Sequence, residues 1–173
     1  MLNIDGDQIS IAIDLDQGAR LASVQWRDME FVLPFRGQSY TWGWFAMAPF
    51  AGRIRDGVIR NSKGEGFQLP NNVDPPHALI GFGASSSWED IGNGAQYLEL
   101  PSPFNGASVT QKFEILEDAL RWSLDYEAAG CDLPVTLGFH PWFPRDIGKA
   151  GSAEIIFKAK KMFERGDDYL PTG

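Results

Sequence analysis

Alternation of apolar and polar residues predicts a chain built mostly of β-strands. In the segment DQISIAIDLD, Ile9, Ile11 and Ile13 alternate with polar or small residues, which is the period-two pattern of a half-buried strand. The segment LASVQW is predicted to be its hairpin partner, across a turn at Gln17 and Gly18. The pattern therefore indicates an antiparallel strand pair with one buried face.

A second hairpin is predicted farther along the chain. SVTQKFEIL and LRWSLDYEA are expected to pair across a turn at Glu117 and Asp118. The apolar positions of its second strand are Leu120, Trp122, Leu124, Tyr126 and Ala128. Two later segments continue the pattern: one places Val135, Leu137 and Phe139 on a single face, and the other, AEIIFKA, is predicted to be a further strand.

Turn-forming residues divide the chain into short elements. The 19 glycines and 11 prolines interrupt it too often for long helices, and no segment has a convincing amphipathic helical pattern. Many short strands with frequent turns indicate an all-β fold, an antiparallel β-sandwich or barrel.

The stretch from Arg36 to Asp90 lacks this alternation. Within it, RIRDGVIRN and EGFQLP are predicted to form short strands around a turn at 61–66. The remainder, QSYTWGWFAMAPFAG and PNNVDPPHALIGFGASSSW, is predicted to form functional loops, because long irregular segments are uncommon in compact domains.

Composition narrows the class of protein. The 173 residues fit one domain, 1–173, and 43% hydrophobic with 22% charged residues is ordinary for a globular chain. No apolar run approaches the roughly 20 residues that span a bilayer, and MLNIDGDQIS lacks the features of a secretory leader. Cys131 is the only cysteine, so no intramolecular disulfide is possible and a cytoplasmic location is expected. A net charge of −8 argues against a nucleic-acid partner.

The only two histidines are the candidates for acid–base chemistry, because imidazole exchanges protons near neutral pH. His77 lies in PPHALIGFG and His140 in LGFHPWFP. Alternation places His140 with Gly138 on the face opposite Phe139, at the end of a strand. Each also has an alternative interpretation: His140 as a half-exposed residue closing a strand, and His77 as a turn residue that caps a backbone carbonyl.

Arg53, in MAPFAGRIRDG, is a candidate binding residue. Its planar guanidinium suits hydroxyl or carboxylate groups, although a solvated arginine is the alternative. The tryptophans placed in predicted loops are Trp42, Trp44, Trp88 and Trp142; they could pack against a flat ligand or cover the edge of the core. Neither histidine has the spacing of a metal ligand, so no metal site is predicted. GFGASS lacks the third glycine and the helix of a dinucleotide loop.

Three segments in this order, APFAGRI, PPHALIGFG followed by Trp88, and LGFHPWF, resemble the aldose 1-epimerase (galactose mutarotase-like) family. The closing DDYLPTG resembles a family turn. Two positions depart from the family pattern: Gly52 stands where asparagine is usual and Ala78 where glycine is usual. The resemblance implies a galactose mutarotase-like β-sandwich of roughly twice this length. We therefore expect this chain to be its N-terminal portion, with the sandwich incomplete.

The resemblance also implies a reaction, the interconversion of the α and β anomers of an aldohexose by acid–base ring opening, without metal or cofactor. His140 would protonate the ring oxygen, His77 would orient the same region and Arg53 would bind hydroxyls. Trp142 and Phe82 would line the pocket. The family's glutamate base lies beyond Gly173, so we expect impaired activity, and free sheet edges are expected to favour homo-oligomers. The glutamates expected to face solvent instead are Glu89, Glu114, Glu127 and Glu154.

Other functions remain open from the sequence. A non-catalytic carbohydrate-binding module on the same sandwich would use loop aromatics without proton transfer. A glycoside hydrolase needs two carboxyl groups about 5 to 10 Å apart, and the adjacent Glu89 and Asp90 would point to opposite faces of a strand. A structural sandwich without a ligand would explain the alternation but not the three unusual segments.

Overall fold

In the computed structural model, which describes residues 1–72, 74–148 and 151–172, the chain forms strands and turns. The strands in these ranges are β1 (Leu2–Asp5), β2 (Ile9–Asp14), β3 (Arg20–Trp26), β4 (Met29–Glu30), β5 (Trp44–Met47), β6 (Arg53–Ile54), β7 (Val58–Arg60), β8 (Gly66–Gln68), β9 (Ala78–Leu79), β10 (Glu89–Gly92), β11 (Ala95–Glu99), β12 (Ser108–Ile115), β13 (Leu120–Glu127) and β14 (Gly138–Pro141). Two 3-10 turns cover Leu15–Gln17 and Arg55–Gly57. Within the described ranges, no helix is long and apolar enough to cross a membrane.

The first sheet has the strand order β1-β2-β3-β5-β14, with β4 paired to β3, and its pairs are antiparallel. The predicted β2–β3 hairpin is confirmed, with Ile11 opposite Val24. Its turn requires Gly18, which has a φ of 80° and on which a Cβ would lie 2.5 Å from the carbonyl oxygen of Ala84.

The second sheet has the antiparallel order β10-β11-β12-β13. The predicted β12–β13 hairpin is confirmed, and its turn is closed by the Leu116 amide, which donates to the carbonyl of Ala119 at 2.8 Å. β10 and β11 were not predicted. All four residues of β10 are exposed, so this strand carries no apolar alternation by which a sequence pattern could reveal it.

The core lies between the inner faces of the two sheets. Ile11 and Ile13 of β2 are buried in the same cluster as Val109 and Phe113 of β12. Gln111 of β12, itself fully buried, donates from Nε2 to the carbonyl of Ala19 at 2.6 Å and so links the two layers. The architecture is an antiparallel β-sandwich, as predicted.

The stretch from Arg36 to Asp90, which lacks alternation, contains more strands than the sequence predicted. The predicted short strands on either side of the 61–66 turn are confirmed as the antiparallel pair β7–β8. The two segments predicted to be loops contain β5 and β9, and β9 pairs with β6. These strands are only two to four residues long, too short for a periodic pattern.

The prediction that AEIIFKA forms a strand is wrong. Residues 153–159 form no strand in the described structure, and Ile155, Ile156 and Phe157 are 76%, 86% and 76% exposed. A strand requires a ladder of hydrogen bonds to a neighbour, and the backbone hydrogen bond of this segment among the described residues is that of the Ala153 amide to the carbonyl of Arg145, at 2.7 Å. β13 and β14 are the last strands of their sheets.

Candidate functional site

The segments around Arg53, His77 and His140 meet where the two short strands β6 and β9 adjoin β5 and β14. β14 pairs with β5 so that His140 lies opposite Phe45. β6 pairs with β9 so that Arg53 lies opposite Leu79. The residue after β5, Ala48, forms a parallel bridge with Gly81, which connects the two pairs.

This connection depends on Gly81. Its φ is +72°, and a Cβ there would lie 2.1 Å from the carbonyl oxygen of Ala48. The same carbonyl accepts hydrogen bonds from the amides of Phe82 and Gly83 at 2.7 and 2.9 Å. Only glycine permits both the left-handed backbone and so close an approach.

His140 occupies an aromatic environment. Its ring stacks on Phe45, with centroids 4.8 Å apart and planes 15° apart, and lies 5.3 Å from the ring of Trp142. Its Nδ1 is buried and has no hydrogen-bond partner among the described residues. Burial lowers the pKa of His140 below its usual value, because a charged imidazolium is poorly solvated there.

The face assignment at β14 is as predicted. Phe139 points away from His140 and contacts Trp122 of the second sheet, at 4.5 Å between centroids. Trp142 is held in place through its indole Nε1, which donates to the carbonyl of Tyr40 at 3.0 Å.

His77 lies in a polar environment instead. The residue is 8% exposed, and its Nδ1 accepts a hydrogen bond from the backbone amide of Asp56 at 3.1 Å. The neutral ring therefore carries its proton on Nε2. The ring thus accepts from a backbone amide, whereas the alternative interpretation had it donate to a carbonyl.

Arg53 is tied to His77 through Asp74. The Arg53 Nε forms an ion pair with Oδ2 of Asp74 at 2.5 Å, and the Asp74 carbonyl accepts from the amide of His77 at 2.9 Å. The Arg53 guanidinium also lies over the ring of Tyr169, with Cζ 5.0 Å from its centroid. Arg53 is therefore fixed in position and not a freely solvated arginine.

Residues 167–172 of the closing segment DDYLPTG form a turn against this group, and Gly173 lies outside the described residues. The Gly166 amide donates to the carbonyl of Leu170 at 3.0 Å, and Arg55 contacts Asp168 at 3.1 Å. The amide of Leu170, together with Arg55 and the neighbouring His77, lowers the pKa of Asp168. Its carboxylate is therefore ionised at neutral pH, beside His77.

One apolar cluster joins the surroundings of the two histidines. Phe45, Ile80 and Ala84 are buried in it, and Leu79 and Trp142 pack against them. The structure thus brings His77 together with Arg53, and His140 together with Trp142, and Leu79 and Trp142 pack against the same cluster. Among the described residues, no hydrogen bond or ion pair joins the two imidazoles directly.

Several aromatic residues lie elsewhere. Phe82 packs edge-on against Phe50 and Phe104 of the main core, at 6.3 Å from each. Trp42 and Trp88 are only 6% and 4% exposed, so they belong to the buried interior and offer no open face to a ligand.

A cleft of about 710 Å³ opens beside Arg53. Its lining includes Gly52, Glu164, Arg165 and Tyr169, and contains neither histidine. Its volume is within the range of small-molecule sites. No cluster of three or more potential metal ligands occurs in the described part of the chain.

Comparison with known proteins adds the decisive observation. The family model described as aldose 1-epimerase matches residues 3–173. The chain belongs to the aldose 1-epimerase family. No curated protein matches it significantly.

Solved structures share its fold. A putative aldose 1-epimerase from Escherichia coli K12 is 25% identical, with a TM-score of 0.70 over 82% of this chain and 51% of that one. A galactose mutarotase-like protein from Clostridium acetobutylicum is 13% identical, with a TM-score of 0.78 over 98% of this chain and 59% of that one. The Slr1438 protein from Synechocystis sp. PCC 6803 is 16% identical, with a TM-score of 0.66 over 82% of this chain and 53% of that one. The chain thus spans between 51% and 59% of the length of these structures.

The acidic residues around Arg53 and His77 were not among the predicted site residues. Asp56 and Asp74 were not considered, although each lies within a few residues of Arg53 or His77 along the chain. Asp168 and Tyr169 were noted only as part of a family turn. A search for acidic residues near the candidate segments and in the closing segment would have found the three aspartates.

Proposed function

We propose that this chain binds an aldohexose beside His140 and that His140 donates a proton to the ring oxygen during anomer exchange. The observation that carries the proposal is the Nδ1 of His140, which is buried without a partner next to Trp142, in a chain of the aldose 1-epimerase family. An unpaired buried polar atom is costly, and a hydroxyl or ring oxygen of a sugar would satisfy it. Trp142 would pack against the apolar face of the sugar.

The other residues have supporting roles in this proposal. His77 has its Nε2 proton available, because Nδ1 is occupied by the Asp56 amide. Arg53 uses Nε for Asp74 and retains its other guanidinium N–H groups for sugar hydroxyls. Phe82 packs into the core, so we propose that it fixes the turn at Gly81 and does not touch the sugar.

We propose that ring opening by this chain alone is slow, because a base is missing beside His140. None of the ion pairs in the described residues involves His140. Glu114, which was expected to face solvent, is 34% exposed and forms surface ion pairs with Lys112 and Arg121. The lowered pKa of Asp168 makes it a weak base. Loss of one partner of an acid–base pair commonly reduces the rate by about 100- to 10,000-fold.

Anomer exchange followed by NMR or polarimetry tests the proposal. Purified α-galactose or α-glucose is mixed with the wild type, with His140→Asn and with the control Asp118→Asn in the β12–β13 turn. Exchange above the buffer rate that His140→Asn removes and Asp118→Asn retains supports the assignment. Rapid exchange that survives His140→Asn overturns the role of His140.

The cleft beside Arg53 favours a second candidate, a non-catalytic carbohydrate-binding function. It offers the Tyr169 ring and the guanidinium of Arg53 without an imidazole. This function predicts that calorimetric affinity for hexoses is unchanged in His140→Asn and falls in Tyr169→Ala. Under the catalytic proposal, His140→Asn weakens binding as well.

We also propose a self-associating, cytoplasmic protein that forms one domain. Within residues 1–72, 74–148 and 151–172, β13 and β14 each have a strand neighbour on one side only, and Met162 and Phe163 are 88% and 74% exposed. Free strand edges and exposed apolar groups favour pairing between chains. Light scattering is expected to give a dimer or larger species, and a clean monomer contradicts this.

The single Cys131 is compatible with a reducing compartment.

A further inference from the structure

A buried arginine outside the candidate site has no ion-pair partner. Arg20 of β3 is 1% exposed, and no ion pair found among the described residues includes it. Its guanidinium donates instead to backbone carbonyls, those of Gln17 at 2.5 Å, Ser39 at 2.7 Å, Trp42 at 3.0 Å and Ala84 at 2.7 Å. A buried charge is costly unless it is compensated in this way, so the position of Arg20 requires a reason.

The contacts of Arg20 lead to His140. Its Cζ lies 4.6 Å from the ring centroid of Trp42 and 4.9 Å from that of Phe45. Phe45 is fully buried, and the His140 ring stacks on it. Trp142 follows at 5.3 Å. We call the series Trp42, Arg20, Phe45, His140 and Trp142 the aromatic stack.

The aromatic stack is anchored to one loop on both sides of Phe45. Arg20 holds the carbonyls of Ser39 and Trp42, and the Trp142 indole holds the carbonyl of Tyr40 between them. The Phe45 ring lies between these anchors. Movement of the guanidinium would therefore release the surface on which the imidazole rests.

We propose that Arg20 is a positioning residue for His140, which through Phe45 fixes the plane of the imidazole and disfavours a second positive charge in the aromatic stack. This inference rests on the proposed role of His140. A cation over an aromatic face is attracted to it, and a stacked ring in a close-packed interior keeps one orientation.

The charges around His140 agree with this arrangement. β5, β9 and β14 carry no other titratable side chain, so the neighbouring titratable groups are Arg20, Tyr40 beside it and, behind Arg20, Asp14. Burial lowers the pKa of Arg20 to about 10, against the opposing effect of Asp14 and Tyr40. Arg20 is therefore charged at neutral pH, and its Cζ lies 4.9 Å from the Phe45 ring on which the imidazole stacks, so its charge disfavours a second positive charge on that imidazole.

NMR spectroscopy of the imidazole rings tests the inference, because the chain has only two histidines. The ring resonances of His140 are followed from pH 8 to pH 4.5 in the wild type, in Arg20→Met and Arg20→Lys, and in the control Arg60→Lys, an exposed arginine bonded to Gly64. The His77 ring serves as the reference in the same spectra.

We expect Arg20→Met to raise the titration midpoint of His140 by about half a pH unit or more and to move its ring protons as the stacking loosens. Arg20→Lys keeps the positive charge but loses the planar guanidinium with its several donors. The ring protons of His140 are therefore expected to move, while its titration midpoint changes less. The control Arg60→Lys is expected to leave the ring-proton shifts and the titration midpoint of His140 unchanged. Folded Arg20 variants whose His140 resonances and midpoint match the wild type would overturn the inference.

A second substitution covers the case in which Arg20→Met does not fold. Phe45→Leu keeps Arg20 and removes the intervening ring, so the His140 protons are expected to lose their ring-current shift; unchanged shifts contradict the inference. These measurements need no sugar. If anomer exchange survives His140→Asn, the proposed function fails while the result on the aromatic stack stands.

Discussion

The two histidines of this chain have opposite surroundings. His140 lies on a paired strand, between Phe45 and Trp142, with an unpaired buried nitrogen. His77 lies in a turn, bonded to the Asp56 amide and close to the Asp168 carboxylate. The apolar environment lowers the pKa of His140, whereas the hydrogen bond from the Asp56 amide fixes the orientation of the His77 ring. The difference teaches that the same residue type can be held by aromatic stacking in one place and by backbone hydrogen bonding in another, which suits the different roles proposed for the two rings.

The largest expected effect concerns the apolar side of this comparison. Phe45→Ala removes a fully buried ring that contacts both Arg20 and His140, and it should lower the free energy of unfolding by about 3 to 5 kcal/mol. Phe139→Ala is the matched control, because Phe139 neighbours His140 but is 45% exposed. Urea denaturation followed by tryptophan fluorescence measures both. Equal losses in the two variants would show that the aromatic stack has no special part in stability.

A smaller effect separates the two imidazoles in catalysis. His140→Asn should reduce enzyme-dependent anomer exchange by about 100-fold, because it removes the proton donor, and His77→Gln should reduce it by less, since its proposed role is orientation. Saturation kinetics by NMR distinguishes a loss in kcat at His140 from a rise in KM at His77. A larger loss in kcat at His77 would reverse the proposed roles.

The polar side is tested through the ion pair between Arg53 and Asp74. Both side chains are partly exposed, 22% and 40%, so Asp74→Asn should cost only about 0.5 to 1 kcal/mol of stability. The same change frees Arg53 and should weaken hexose binding measured by calorimetry. The exposed pair of Arg55 and Asp168 supplies a matched variant, Arg55→Lys, in which affinity is expected to be retained.

How far the sequence could predict this molecule differs between its regions. β2, β3, β12 and β13 pair with neighbours in the chain and carry clear alternation, so both hairpins were predicted with their turns. β5 and β14 pair across more than ninety residues, and no local pattern reveals such a partner. AEIIFKA has the composition of a strand, but a strand depends on a neighbour to pair with.

The site was predictable only in part. His77, His140 and Arg53 stand in unusual segments and were therefore predicted as site residues, and the structure ties Arg53 to His77. Arg20 was missed because an arginine between apolar residues on a strand is expected to face solvent. Its four carbonyl partners come from three separate parts of the chain. Such long-range satisfaction of a buried charge is visible only in three dimensions.

The smallest expected effect is the pH dependence of stability. The pKa of His140 is lowered in the folded state. The contribution of this neutral imidazole to folding stability is therefore fully present above the pKa of the unfolded state, about 6.5. It is lost as the pH falls through the lower pKa of the folded state. Melting temperatures of the wild type should therefore decline from pH 7 to pH 5 more steeply than those of His140→Phe. Parallel profiles for the two proteins would contradict the burial of a neutral imidazole.

The claim that both imidazoles serve one sugar site has a direct test. Ring resonances of His77 and His140 are recorded while D-galactose or D-glucose is added, with galactitol, which cannot close a ring, as the control. We expect both histidines to shift with the same saturation curve and to respond weakly to galactitol. A saturable shift at one imidazole alone, or at neither, would contradict a common site.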